Sequence, residues 1–136
     1  MRFDTKIAVI VREDLAAWQK LNVTAFLAGG LAHATDDIVG KPYEDASGNT
    51  YLPMFREPVL VYASDAAGLT RGHARALSRG LATALYTEEL FTTGHDDDNR
   101  AAVRAVPADE LRLVGLGLHG PRGAVDKVTR GLRLHG

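Results

Sequence analysis

Residues 5–12 read Thr-Lys-Ile-Ala-Val-Ile-Val-Arg, an almost unbroken apolar run rich in β-branched side chains. A strand with one wet face alternates polar and apolar residues, so this run predicts a central strand covered on both sides. A second run of the same kind, Val-Leu-Val-Tyr-Ala at 59–63, follows Pro58. Ser64 and Asp65 then offer a cap to a helix whose apolar side is marked by Leu69, His73, Ala76, Leu77 and Leu81. Residues 82–87 predict a third strand of mixed propensity. Residues 111–118, Leu-Arg-Leu-Val-Gly-Leu-Gly-Leu, predict a fourth, ended by His119-Gly120-Pro121.

Between the first two strands, Val23, Phe26, Leu27, Leu31 and Ala34 fall on one helical stripe, with Asn22 placed to cap it. Gly29 and Gly30 lie within this helix at a cost of about 1 kcal/mol each relative to alanine, which predicts tight packing at that point. From Gly40 to Pro53, turn residues separate short aromatic segments, so a surface hairpin is expected near 41–53. The last helix is expected over 122–132. Strands alternating with helices predict a mostly parallel sheet with helices on both faces, and ligands of such sheets bind near the carboxyl ends of the strands.

A length of 136 residues fits one domain, taken as 1–136, and 46% apolar with 24% charged residues is a globular composition rather than a disordered one. No cysteine is present, which removes disulfides, thiolate nucleophiles and cysteine-bound zinc. No stretch has the roughly 18 consecutive apolar residues of a membrane span, and the amino terminus lacks a signal cleavage pattern, so a cytoplasmic protein without membrane contact is expected. A formal charge of −1 supplies no overall field for nucleic acid, which speaks against tRNA as a partner. Gly115 and Gly117 form a lone Gly-x-Gly without the rest of a dinucleotide fingerprint; they are read as structural glycines of a strand, and no cofactor is expected.

The segment 88–108 is a polar loop with the densest chemistry of the chain. Thr92, His95, Asp96, Asp97, Asp98, Asn99 and Arg100 lie within nine positions. Two roles fit them: a ligand-binding or general-base site, or a polar loop entering a helix near Asp97 or Asp98 whose first turn the acids complement. The spacing is not that of a calcium loop, and His95 has no second histidine at zinc spacing, so no metal is assigned. In the functional reading Glu88 or His95 acts as base and Thr92 positions the substrate. Arg12, Lys20, Asn22, Asp96, Asn99 and Arg100 then bind a small polar molecule. The alternative is a non-catalytic binding or scaffold protein.

Two further stretches carry a resemblance. Residues 111–134, with Gly-Leu-His-Gly-Pro leading to Asp126-Lys127-Val128-Thr129, and residues 7–15, Ile-Ala-Val-Ile-Val-Arg-Glu-Asp-Leu, resemble the closing and opening segments of the type 2 peptidyl-tRNA hydrolases. The chain with its Thr-Gly-His-Asp-x-Asp-Asn-Arg insertion is also similar to a related bacterial family of unknown function. The resemblance implies a three-layer α/β/α domain around a mixed four-stranded sheet, often paired into homodimers, and adds a true peptidyl-tRNA hydrolase as a third, less favoured reading of the function. Of that family's Lys-Gly-Lys-x-Ala-Ala-Gln-x-x-His-Ala segment, Lys20 alone is matched, with Gly29 where the histidine falls. Glu88 and Thr92 keep the acid and the threonine of its Asp-Ala-Gly-Arg-Thr.

Overall fold

Strand β1, Thr5–Arg12, is flanked on one edge by β4, Val59–Ser64, running parallel, and on the other by β6, Leu113–Pro121, running antiparallel. The computed structural model describes residues 3–136. Strand β5, Ala82–Thr87, pairs antiparallel with β6, and a two-residue β7, Arg133–Leu134, pairs antiparallel with β4. The sheet therefore has five strands in the order β5-β6-β1-β4-β7. Both the count of four and the mostly parallel pairing expected from the sequence are corrected: only β1·β4 is parallel. The reason is that a doubly buried run looks the same in either direction, and a two-residue edge ribbon has no periodicity to read.

Alternation along β1 divides the core. Ala8 and Ile10 join Leu116 and Leu118 beneath α2, Ala66–Ser78, and α4, Arg122–Thr129. Val9 and Val11 face the opposite side, with Val23 and Leu27 of α1, Ala17–Ala34. The sheet is thus mixed, with helices on both faces. No helix among the described residues is long and apolar enough to cross a membrane.

Helix α1 begins five residues before the expected cap. Ala16 is its N-cap residue, where the Gln19 side-chain oxygen accepts the Ala16 N–H at 3.0 Å, so Asn22 lies within the helix and does not cap it. The outer surface of α1 carries Trp18 and Leu21, which blurred the amphipathic signal that marks a helix start. The tight packing expected at Gly29 is also absent: a Cβ there would meet nothing within 4 Å, and one on Gly30 would make only ordinary contact with Ala84 at 3.6 Å. The close approach is at Gly115 and Gly117, where a Cβ would stand 2.4 Å from Val23 Cγ1 and 3.1 Å from Leu27 Cβ respectively. These glycines let α1 settle onto β6.

Helix α2 starts as expected, with Asp65 Oδ1 accepting the Gly68 N–H at 2.7 Å. His73, on the apolar side of this helix, is buried, and burial pushes its pKa down. Helix α4 ends at Thr129, and Gly131 at φ 86° turns the chain back onto the free edge of β4. Strands β2, Tyr43–Glu44, and β3, Thr50–Tyr51, form a separate hairpin. In its turn the Tyr51 hydroxyl, the Asn49 amide side chain and nearby backbone N–H groups hold the Asp45 carboxyl down at about 2.

Candidate functional site

Strands β1, β4 and β5 run in one direction, because β6 opposes both of its neighbours. Their carboxyl ends carry Arg12, Ser64-Asp65 and Thr87-Glu88. The Arg12 guanidinium binds two carboxylates, Nη1 to Glu88 Oε1 at 2.6 Å and Nε to Asp14 Oδ1 at 2.7 Å. Burial works against its charge, but the hydrogen bonds it donates to Glu88 and Asp14 outweigh it and raise its pKa. The loop after β1 is fixed to β4, since the Glu13 N–H donates to the Ser64 carbonyl at 2.8 Å. The Glu88 N–H donates to the Arg112 carbonyl at 3.0 Å, and Arg112 Nη2 binds Glu89 Oε1 at 2.6 Å. The carboxyl of Glu89 is held low by a hydrogen bond from its own backbone and then by Arg112.

These groups enclose a cleft of about 310 Å³ lined by Arg12, Glu13, Asp14, Asp65, Ala66 and Glu88. A neighbouring depression of about 390 Å³ shares Glu13 and Asp65 and extends toward Arg71 and Arg133. Four carboxylates against one guanidinium make the first cleft electronegative. Arg12 is neutralised by its own partners, and Asp65 fills the amino end of α2, leaving no open anion site there. Among the described residues no three histidine or acidic side chains are grouped at metal-binding distances. Glu88 keeps more than a third of its side chain exposed, and its second carboxylate oxygen, 3.7 Å from Arg112 Nη1, accepts no hydrogen bond among the described residues.

Arg12 and Glu88, both expected at the site from sequence, are brought together here. The other expected residues are dispersed. Thr92 Oγ1 donates to the Glu89 carbonyl at 3.0 Å and closes the 3-10 turn Glu88–Phe91. His95 occupies the N-cap position of α3, Asp96–Arg104, without a side-chain capping bond. No hydrogen bond or ion pair among the described residues joins Glu88, Thr92 and His95. Asp96 and Asp97 pair with Arg100 at 2.5 and 3.0 Å along the helix surface, and Asn99 accepts from Thr93. The acids thus sit in the first turn of α3, where they complement its dipole. Asn99 and Arg100 border a different depression of about 520 Å³, while Lys20 borders a third, of about 590 Å³. Asn22 is half-buried within α1.

Asp14 and Arg112 escaped the sequence reading. Arg112 was hidden inside an apolar strand pattern, and Asp14 lies in the stretch 7–15 that carries the resemblance, where nothing in the sequence points to Arg12 as its partner. Also missed was a polar cluster at the opposite end of the sheet. Glu57, buried before β4, accepts from Thr5 Oγ1 at 3.0 and 3.2 Å and lies 3.5 Å from His119 Nε2.

A family model described as "Protein of unknown function (DUF2000)" matches residues 5–136. A solved structure of a protein of unknown function from Agrobacterium tumefaciens strain C58 is similar, with 49% identity, 99% of this chain and 100% of that chain covered, and a TM-score of 0.96. No curated protein matches.

Proposed function

The chain belongs to the family of proteins of unknown function (DUF2000), and we propose that it binds a small polar molecule carrying an amine or hydroxyl group in the cleft formed by Arg12, Asp14, Asp65 and Glu88. The observation that carries this reading is the excess of carboxylates at the carboxyl ends of three co-directional strands, the position where open α/β sheets take their ligands. Carboxylates in a partly enclosed site accept hydrogen bonds from ammonium and hydroxyl donors and repel phosphates. If the bound molecule is an ester or amide, Glu88 is the group placed to orient a water, with Arg12 fixing the carboxylate. A hydrolytic role is also what the resemblance of residues 7–15 and 111–134 to type 2 peptidyl-tRNA hydrolases suggests. In this reading Thr92 closes the turn Glu88–Phe91 and His95 and Asn99 belong to the start of α3, outside this chemistry.

A thermal-shift panel tests the reading. Aminoacyl esters, amino alcohols and polyamines are expected to raise Tm, and phosphate and carboxylate ligands are not, because only a molecule that binds the native state stabilises it. Glu88→Gln and Asp14→Asn are expected to remove the shift. A shift equal in both variants, or one produced by anions alone, would contradict the reading.

A homodimer is the second reading, favoured by the hairpin. It stands outside the main sheet and exposes Tyr43, Tyr51, Leu52 and Met54 together. A monomer in sedimentation equilibrium at high concentration would remove it.

A further inference from the structure

Helix α1 covers β5, β6 and β1 but stops short of β4. Val59 and Val61, which point to the same side of the sheet as Val9 and Val11, are therefore only half-covered. The space between α1 and β4 is a groove of about 590 Å³, within the range of small-molecule sites. Its floor is Val11, Val59 and Val61, and its wall is the face of α1 that carries Leu21, Ala25 and Ala28. The helical lining runs from Ala17 to Ala28, eleven helical steps or roughly 16 Å, so the groove is elongated. Thr24 is spent on the Lys20 carbonyl, at 2.8 Å, and leaves the interior apolar.

Lys20 breaks this apolar lining. Its Nζ lies 3.1 Å from His135 Nε2, and both residues line the groove. No ion pair with a carboxylate forms at Lys20 among the described residues, unlike Lys6, Arg12, Arg100, Arg112 and His119. An ammonium facing an imidazole rather than an acid leaves positive charge to be matched from outside. The ordinary requirement for a cation beside apolar surface is an anion.

We propose that the groove between α1 and β4 binds a monomeric straight-chain carboxylate, its alkyl chain lying on Val11, Val59 and Val61 and its head on Lys20 and His135. The match is one of charge and shape. The alkyl chain removes half-covered valines from water, and the head supplies the partner that Lys20 lacks. The site is separate from the electronegative cleft, which repels such a head.

Decanoate, decanol and decyltrimethylammonium, each below its aggregation limit, are the probes, titrated into the protein by calorimetry. Decanoate is expected to bind more tightly than decanol by about tenfold, and decyltrimethylammonium more weakly than either. Lys20→Gln is expected to reduce decanoate to the affinity of decanol without changing decanol. Ala25→Trp, a substitution at an exposed helix position that fills the groove, is expected to remove both. Methyl resonances of Val11, Val59 and Val61 should shift with decanoate in the wild type, and unchanged melting of the two variants secures the comparison. Equal affinity for decanoate and decanol, or retention of binding in Ala25→Trp, would overturn the proposal. So would sedimentation with anionic phosphatidylglycerol vesicles in place of monomer binding, or a dimer in which the groove is closed to all three probes.

Discussion

Gly115→Ala is expected to destabilise the fold by about 2–3 kcal/mol, a fall in Tm on the order of 10 °C by differential scanning calorimetry. The new Cβ would stand 2.4 Å from Val23 Cγ1 and 3.1 Å from Leu27 Cδ1, with the Ile10 carbonyl oxygen at 3.5 Å behind. Val23 is fully buried and Leu27 nearly so, and β-branched Val23 has little rotamer freedom in a helix. The clash is therefore relieved only by lifting α1 from the sheet, which opens the core formed with Val9, Val11 and Val114. Gly117→Ala, at 3.1 and 3.3 Å from Leu27 and Leu31, should cost less. Gly29→Ala has the opposite sign. It fills open space in the middle of an 18-residue helix and should stabilise by about 1 kcal/mol. A neutral Gly115→Ala would mean that α1 does not sit on β6 at this distance.

Thr5→Val is expected to cost about 1.5–3 kcal/mol in a denaturant titration, although it preserves shape. Glu57 is almost entirely enclosed, and the Thr5 hydroxyl reaches both of its oxygens. Removing that donor leaves a buried carboxylate with His119 Nε2 at 3.5 Å as its remaining near partner. A buried charge short of donors bears its desolvation cost uncompensated. The pair together is a different matter, since a buried polar group and its partner can be replaced by apolar groups of like shape with little loss. Thr5→Val combined with Glu57→Met should therefore recover most of the loss seen in Thr5→Val alone. If the double variant is as unstable as the sum of the singles, the cluster acts through something other than mutual satisfaction.

What was legible in the sequence was burial. The apolar runs at 5–12, 59–63 and 111–118 all became inner strands, although Val59 and Val61 are only half-covered, and Asp65 capped its helix as its position before an apolar stripe implied. Direction and edge were not legible. Strand β6 enters antiparallel between β5 and β1, and its leucines would read identically the other way round. Strand β7 owes its existence to the turn at Gly131 and a free edge of β4, not to its own two residues. Of the site, Arg12 and Glu88 were legible because each ends a strand. Their partners, Asp14 on Arg12 and Arg112 on Glu88, depend on tertiary placement. The dense polar run at 92–100 fits the second of its two readings: short-range pairs such as Asp96–Arg100 and Thr93–Asn99 hold those residues within α3 and its entry loop, and the acids fill the first turn of the helix.

The most direct measurement of the central claim is a backbone amide shift map of the protein titrated with an aminoacyl ester. The account predicts that the largest perturbations fall on residues 12–14, 64–66 and 88, the three strand ends around the Arg12–Glu88 pair, and that Glu88→Gln abolishes them. Perturbations centred instead on Asn99, Val103 and Arg104, or a saturating titration that leaves the three strand ends unmoved, would contradict it.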